Sequence, residues 1–407
     1  TPAELISDIT TANSNGEADT IDLGGNTFTL TTVGGTTEGD NGLPSVLADG
    51  GNALSIQNGI IERDSGAPAF RLIHVTASGD LTLNDVTLQG GLTSGTGTGY
   101  DTQGGGIFNR GNLTLTDSQI LNNTATRNGG GVGSFRGRTI TITNSTLSGN
   151  MADNSGGGIY VTGSIITVSN STLSGNMAVR DGGGIFDSSS ADLINSTVSN
   201  NTAGRNGGGI LGAARFRVTH STLTGNSATS GGGLFSSSGF QLTNSLVVNS
   251  TGGNCVSFGP DTNRANEANF DDDGTCVAAE NDGTPNIIED PDAGTLLGPL
   301  ADDGGPTQTH ALLVGSPAID QAATSTELTD QRGFFRDATP DVGAFEFEAL
   351  VPTLDFGDAP DPDFPTLLAS NGARHATNNP AGSGPILGNL IDAETDGLPN
   401  ATATGDD

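Results

Sequence analysis

The sequence predicts an all-β fold, a right-handed parallel β-helix in which each coil is one repeat of about 25 residues. A Gly-Gly-Gly-aliphatic motif recurs six times at intervals of 24 to 27 residues, and a second motif, Asn-Ser-Thr-Leu-Ser-Gly-Asn, recurs with the same period. Short segments that alternate apolar and polar residues lie between the motifs. A unit of this size cannot bury its own apolar face, whereas stacked units bury it continuously. The right hand is expected from the usual hand of parallel crossovers.

Residues 1–18 predict an N-terminal helical cap. Thr1 suits the N-cap, Pro2 suits the first helical position, and Glu4 completes a capping box. Leu5 and Ile9 would then fall on one face of the helix. We expect this face to cover the first coil, because an uncovered strand edge pairs readily with other chains.

Residues 19–254 predict the coils, with apolar side chains inside and polar side chains, many of them threonines, outside. One asparagine occupies the same position in successive repeats. Such residues stack about 4.8 Å apart and hydrogen-bond along the column, each bond contributing roughly 0.5–1.5 kcal/mol. The predicted ladder consists of Asn123, Asn150, Asn176, Asn201 and Asn226. His220 replaces asparagine in another column, which predicts a corner role rather than a catalytic one.

The glycine triplets and the residues after them need separate explanations. Glycine weakens a strand, so three in a row predict a corner with positive φ or coils too close for a Cβ atom. Aromatic residues follow the triplet in four coils: Phe108, Tyr160, Phe186 and Phe235. They fit an internal aromatic stack, or alternatively an outward row that stacks on sugar rings.

Charge excludes several classes of function. The chain of 407 residues carries 46 acidic residues and 14 arginines, has no lysine, and has a net charge of −32. This charge repels nucleic acid and anionic membranes, and no apolar run is long enough to span a bilayer. The absence of lysine excludes P-loop and Schiff-base chemistry. Residues 1–254 have a net charge of −8 and residues 255–407 a net charge of −24, so we place a boundary near Asn254.

Residues 255–350 are predicted to contain the last coils and a C-terminal cap. Cys255 and Cys276 are the only cysteines and flank an irregular polar stretch. In a chain with the composition of a secreted protein they predict a disulfide, which contributes about 3 kcal/mol. A metal site at the two cysteines is disfavoured because no further Cys or His lies nearby.

Clusters of acidic residues predict calcium sites, because hard cations prefer oxygen ligands. The predicted ligands are Asp271 and Asp273; Asp355, Asp358 and Asp361; and Asp392, Glu394 and Asp396. The last of these clusters matches the first positions of an EF-type calcium loop, although position 12 of that loop is Ala403. The alternative is a solvated acidic surface.

The repeats resemble the right-handed β-helix of the pectin-lyase-like superfamily, especially its non-enzymatic bacterial surface members such as polymorphic outer-membrane-protein repeats. Residues 298–313, with the motifs Asp-Gln-Arg-Gly at 330–333 and Asp-Val-Gly-Ala-Phe-Glu at 341–346, resemble the choice-of-anchor Q domain family. Residues 355–407 resemble the first part of a GEVED-type module. These resemblances imply a secreted or surface protein and supply no catalytic residues.

We therefore expect a non-catalytic extracellular protein with a structural or adhesive function. The specific hypothesis is a subunit of a head-to-tail filament or sheath. Because the chain ends inside an acidic motif, we expect a processed chain whose residues 351–407 form an acidic module or assembly arm. The arm would contact a neighbour through Val351, Pro352, Leu354, Phe356 and Phe364.

Two alternatives remain open at this point. One is an adhesin that binds carbohydrate. The other is a polysaccharide lyase or hydrolase, which requires acids or cations clustered on one face. No two acids of the regular coils clearly share a face on adjacent repeats; the candidates are Asp117, Asp153, Asp181, Asp187 and Asp192.

Overall fold

The computed structural model describes residues 1–97, 99–258, 268–276, 287–323, 327–347, 354–356 and 374–376. These residues form a parallel β-solenoid with about 26 residues per turn and a short N-terminal helix, which confirms the predicted fold class. Two units are distinguished: residues 1–333 with 339–347, and residues 334–338 with 348–407.

The solenoid begins with helix α1, Pro2–Ala12, as predicted. The Thr1 side chain accepts a hydrogen bond from the Glu4 backbone, and the Glu4 carboxylate accepts one from the N-terminal amine at 2.6 Å. Leu5 and Ile9 are buried against the first coil. The helix thus covers apolar side chains that the end of the stack would otherwise expose to water.

The longest sheet follows one side of every coil. In its first three coils the strand is continuous, and from residue 112 onward a corner divides it into two short strands. Its strands are β1 Asp19–Leu30, β2 Leu54–Arg63, β4 Asp80–Gln89, β6 Asn112–Thr116, β7 Gln119–Leu121, β10 Thr139–Thr143, β11 Thr146–Ser148, β14 Ile165–Ser169, β15 Thr172–Ser174, β18 Ser190–Ile194, β19 Thr197–Ser199, β22 Arg215–Thr219, β23 Thr222–Thr224, β25 Phe240–Thr243, β26 Leu246–Val248, β28 Asn269–Asp271 and β29 Ile287–Glu289.

Two further parallel sheets complete the coils. The second sheet contains β3 Ile73–Val75, β5 Ile107–Asn109, β9 Val132–Phe135, β13 Ile159–Thr162, β17 Ile185–Asp187, β21 Ile210–Gly212, β24 Leu234–Ser236 and β27 Cys255–Ser257. The third contains β8 Thr124–Ala125, β12 Met151–Ala152, β16 Met177–Ala178 and β20 Thr202–Ala203. Like residues pair in register, for example Ile140 with Ile166 and Leu147 with Leu173, so the core is a set of apolar columns.

Residues 297–323, 327–333 and 339–347 follow the last described strands of the stack and pack along its flank. Strands β28 and β29 continue the stack, and after the short helix α2, Asp292–Thr295, the chain turns back. An antiparallel pair follows, β30 Leu297–Ala301 with β31 Thr309–Leu312. This segment lies along the flank of the solenoid: the Thr172 hydroxyl donates to the Gln308 carbonyl at 2.5 Å, and Ala344 N donates to the Thr222 hydroxyl at 3.1 Å. It therefore covers the outward face of several coils, beyond the final one.

The second unit contains one antiparallel strand pair among its described residues, β32 Leu354–Phe356 with β33 Arg374–Ala376. No described helix is long and apolar enough to cross a bilayer.

Candidate binding surface and the columns that shape it

The predicted asparagines form a continuous buried ladder at the corner after β7, β11, β15, β19 and β23. The Asn176 side-chain oxygen accepts hydrogen bonds from both the backbone and the side-chain nitrogen of Asn150, each at 3.0 Å. The Asn176 amide nitrogen donates to Leu147 O and to Asn201 Oδ1, each at 2.9 Å. The same pattern joins Asn123 to Asn150 and Asn201 to Asn226. Each amide thus satisfies buried backbone groups that the corner leaves without strand partners.

A parallel serine ladder was missed by the sequence reasoning. At the corner that divides the long sheet, the backbone N–H of each serine from Ser118 to Ser221 donates to the hydroxyl of the serine one coil further on, at 3.0–3.2 Å, and Ser245 N donates to Asn269 Oδ1 at 2.9 Å. The residue before each serine has positive φ, and His220 is one of these residues, with φ 43° and a hydrogen bond to Asn244 at 3.0 Å. Repetition of Asn-Ser in the motif was the available signal. The ladder consists of Ser118, Ser145, Ser171, Ser196, Ser221 and Ser245.

The glycine triplets serve both of the predicted purposes. The first glycine of each triplet has positive φ, for example 66° at Gly182. The second lies against the next coil, where a Cβ atom on Gly183 would approach Gly208 O to 2.3 Å. That distance is far inside van der Waals contact, so the coil spacing itself requires glycine there.

The aromatic row lies on the outward side of the second sheet. Tyr160 and Phe186 are half-buried, stack at 4.8 Å with 9° between their planes, and continue to Phe135 at 5.1 Å and 24°. Phe135 fills the gap that Gly133 leaves in the column, because Gly133 pairs with both Phe108 and Tyr160. The rings therefore cover one another's faces and present mainly their edges, so this row is neither an internal stack nor a set of free platforms for sugar rings.

A buried polar cluster closes the row at its N-terminal end. His74 Nε2 lies 3.1 Å from Glu38 Oε2, and His74 Nδ1 lies 2.8 Å from the Ser45 hydroxyl. Burial, together with the nearby Arg71 and Arg110, lowers the pKa of His74 to about 3, so the ring is neutral. It then donates to Glu38 and accepts from Ser45. His74 is fully buried and Ser45 is only 7% exposed, while the Glu38 side chain is partly exposed and also pairs with Arg110. We interpret these contacts as a packing network because the Ser45 hydroxyl is not accessible to a substrate.

The acids of the regular coils are dispersed in paired or isolated environments. Asp181 binds Arg205 at 2.7 Å, and Asp192 binds Arg217 at 2.7 Å. Asp187 is fully buried on the inner side of β17, where desolvation raises its pKa to about 6. Asp117 and Asp153 are exposed on different coils and different corners.

The predicted disulfide joins Cys255 to Cys276 and pins the corner of the last coils. Asp271, a predicted calcium ligand, is buried there and accepts hydrogen bonds from Asn254 Nδ2 and Cys276 N, both at 2.6 Å. Asp273 accepts from Thr275 and from Asn254 N. Both carboxylates thus accept hydrogen bonds from protein donors, and no group of three acidic, His or Cys side chains with metal-site geometry occurs in the described ranges. The calcium prediction at Asp271 and Asp273 stays a prediction.

The other predicted sites lie largely beyond the described residues. This applies to Asp358, Asp361, Asp392, Glu394 and Asp396 among the calcium ligands, and to Val351, Pro352 and Phe364 in the assembly arm. Leu354, Asp355 and Phe356 form strand β32. The calcium and assembly predictions on these residues stay predictions.

The two motifs near the end of the first unit, residues 330–333 and 341–346, contact each other in a buried hydrogen-bonded cluster. Asp330 Oδ2 accepts from Glu346 N at 3.1 Å and from Arg332 Nε at 2.7 Å. Arg332 also lies 3.6 Å above the Phe345 ring. Residues 330–333 and 341–346 therefore hold the flank segment together, which gives both motifs a structural role.

Comparison with known proteins adds one match. Residues 144–162 match the Chlamydia polymorphic membrane protein repeat, a short stretch that spans one Asn-Ser-Thr-Leu-Ser-Gly-Asn motif, the following glycine triplet and strand β13. No curated protein matches the chain. The coil is thus similar to a repeat of the Chlamydia polymorphic membrane proteins.

Proposed function

We propose that this chain is a non-catalytic protein of the bacterial cell surface with a structural or adhesive function. The observation that carries the proposal is the match of one complete corner and strand to a polymorphic membrane protein repeat, within coils that all share the same design. Proteins with that repeat are membrane proteins by name, and exposure at the outer surface is the role that a rigid solenoid suits.

Rigidity is the property that the coils supply. Asparagine and serine ladders run beside the apolar columns, so each coil is fixed to its neighbours by backbone, side-chain and packing contacts together. Such a stack transmits force and displays its outward faces at fixed spacing. Those properties serve a spacer or a display scaffold.

The arrangement of acids supports the non-catalytic proposal over the alternative of a polysaccharide lyase or hydrolase. Glycoside hydrolysis needs two carboxyl groups about 5–10 Å apart across an accessible bond. In the regular coils, Asp181 and Asp192 are held by arginines and Asp187 is buried. A reducing-sugar assay with a panel of acidic and neutral polysaccharides tests this point, and release of new chain ends by the full chain would overturn it.

Surface location is tested by protease digestion of intact cells. Because the chain has no lysine, amine-reactive labels report poorly on it, and detection by antibody after proteinase K treatment is preferable. We expect loss of the protein from intact cells, with a cytoplasmic protein as the protected control. Full protection on intact cells, followed by digestion after lysis, would contradict the proposal.

Head-to-tail assembly is a narrower part of the proposal. Both ends of the stack are acidic, with Asp8 and Asp22 at one end and Glu289 and Asp292 at the other. Direct end-to-end contact is therefore repulsive unless protons, cations or a connecting arm offset the charge. Electron microscopy of the native material, compared with a chain lacking residues 351–407, tests the arm. Filaments that persist without those residues would exclude it.

A further inference from the structure

We propose that the outward face of the second sheet, between residues 108 and 205, binds an anionic polysaccharide that carries sulfate or carboxylate groups. The proposal rests on the proposed surface function and names a partner class for it. We call this surface the arginine face; it comprises Arg127 and Arg180 at one end of the strands, Arg136 and Arg138 at the other, and the aromatic row between them.

The first support is the distribution of charge. Residues 102–254 contain eight arginines and five aspartates, so the regular coils have a net charge of +3 within a chain of −32. One of the five, Asp187, is buried. Arg110, one of the eight, pairs with Glu38, so any attraction of an anionic ligand to these coils comes from the arginines without a carboxylate partner.

The second support is the contrast between arginines that have a carboxylate partner and the four arginines of the face. Arg205 and Arg217 bind Asp181 and Asp192. Among the described residues, the side chains of the four arginines of the face make no hydrogen bond or ion pair. Arg136, Arg138 and Arg180 are exposed, and Arg127 is half-buried. The two exposed acids of these coils, Asp117 and Asp153, are outnumbered by them.

The third support is their placement. Backbone hydrogen bonds from Asn154 N to Arg127 O and from Arg180 N to Asn154 O place these three residues at one corner of successive coils. At a strand spacing of about 4.8 Å, Arg127 and Arg180 are about 10 Å apart along the solenoid. Arg136 and Arg138 follow β9 at the opposite end of the strands. The face is thus a short strip with two arginines at each end of its strands, one pair spaced along the solenoid and the other on a single coil.

The strip between the margins suits a sugar chain. Tyr160 is half-buried there; burial raises the pKa of its hydroxyl, and the positive charge of Arg127 opposes that rise. Ring edges of Phe135 and Phe186 give apolar surface beside the phenol. Guanidinium groups bind sulfate and carboxylate through paired N–H donors, while the phenol and the Asn154 amide can meet sugar hydroxyls.

The geometry favours a thin polymer over other polyanions. The four strands of the face, β5, β9, β13 and β17, extend only about 19 Å at the strand spacing, so a stiff nucleic-acid duplex on this face would also meet the acidic parts of the chain beyond it. A flexible sugar chain can follow the strip alone. An acidic polypeptide lacks the ring hydroxyls that the phenol and amide would meet.

The test is binding of the full chain to dextran sulfate and to alginate at several salt concentrations, with neutral dextran and poly-glutamate as comparison ligands. We expect binding to one or both anionic glycans that weakens with salt, and little binding to dextran or poly-glutamate. The double variants R127Q/R180Q and R136Q/R138Q should each bind about tenfold more weakly.

A matched control separates the face from net charge. Ser7→Glu with Gln119→Glu lowers the net charge by the same two units at exposed positions outside the face, and should leave binding within about twofold. Thermal unfolding of each variant verifies folding. Equal loss in the control, unchanged binding in both arginine variants, equal binding of poly-glutamate, or no binding of either glycan would each overturn the proposal. Surface location is measured separately, so a protein that is exposed on cells but binds no anionic glycan rejects this inference alone.

Discussion

The side chain of Asn176 accepts two hydrogen bonds from Asn150, one from the backbone nitrogen and one from the side-chain amide. One residue therefore satisfies a buried donor in the preceding coil while its own amide nitrogen donates onward to Asn201. Because every coil from Asn123 to Asn226 repeats this relationship, damage at one rung leaves unsatisfied groups in two coils.

Replacement of Asn176 by alanine should strongly destabilise the solenoid. The change leaves the Asn150 donors and the Leu147 carbonyl without partners in a buried corner, so we expect a loss of about 3–5 kcal/mol in the free energy of unfolding. Urea unfolding measures it. Gln119→Ala, at an exposed strand position, is the control and should change stability by less than about 0.5 kcal/mol. Similar values for the two variants would contradict the structural importance of the ladder.

The glycine corners predict a contrast between two alanine substitutions. Gly183→Ala places a Cβ atom 2.3 Å from Gly208 O and should cost more than about 3 kcal/mol or prevent folding. Gly175→Ala has φ +63° but open space around it, so backbone strain of about 1–2 kcal/mol is the expected cost. Thermal unfolding of both variants tests the order, which would be reversed if conformational strain alone governed these positions.

We predict that the contribution of Asp187 to folding stability falls as pH rises. Burial raises its pKa from 3.8 to about 6, so the folded protein retains the proton while the unfolded chain loses it. The stabilisation is complete below about pH 4, declines between pH 4 and 6, and is lost above the folded pKa, a change of about 3 kcal/mol. Asp187→Asn should remove this part of the pH dependence and stabilise the protein at pH 8. The exposed Asp117→Asn is the control, and an identical pH profile for wild type and Asp187→Asn would contradict the prediction.

We predict that Gln331 contributes strongly to the attachment of the flank segment to the coils. Its amide nitrogen donates to the hydroxyls of Thr172 and Thr307, each at 2.9 Å, and its oxygen accepts from Thr197. Gln331→Glu replaces the donor with a buried carboxylate and should cost about 2–4 kcal/mol locally. Hydrogen exchange should then increase in residues 297–347 and at Thr172 and Thr197, while β5 and β9 keep their protection. Uniform exchange across all coils would show instead that the whole fold opens as one unit.

Calcium titration distinguishes the acidic clusters. We expect calorimetric heat from the chelator-treated full chain, and loss of most of it when Asp392, Glu394 and Asp396 are replaced together by their amides. Asp271→Asn should leave the heat unchanged, because protein donors already occupy its carboxylate oxygens. Absence of heat in the wild-type chain would contradict calcium binding by this protein.

Several features were predictable from the sequence because they repeat. A period of about 25 residues identifies the solenoid, and the same position in each repeat identifies the asparagine ladder, the glycine corners and the inward apolar columns. The capping box at Thr1 and Glu4 and the disulfide between Cys255 and Cys276 also follow from local pattern or from the small number of candidates. Periodicity places residues relative to the coil, so it predicts whatever every coil shares.

Features that depend on contacts between non-equivalent residues required the tertiary structure. Three such features are the fold-back of residues 297–323, 327–333 and 339–347 along the flank, the stacking of Phe135 into the gap at Gly133, and the pairing of Arg205 with Asp181. None of them recurs from coil to coil, so periodicity could not predict them. The net charge of +3 in residues 102–254 is visible in the sequence, but only the structure shows that Arg205 pairs with Asp181 and Arg217 with Asp192. The sequence by itself thus determined the coil and its columns, because stacking multiplies one local pattern. The tertiary structure decided which outward surfaces are covered and which are available, because that depends on where the single non-repeating segments pack.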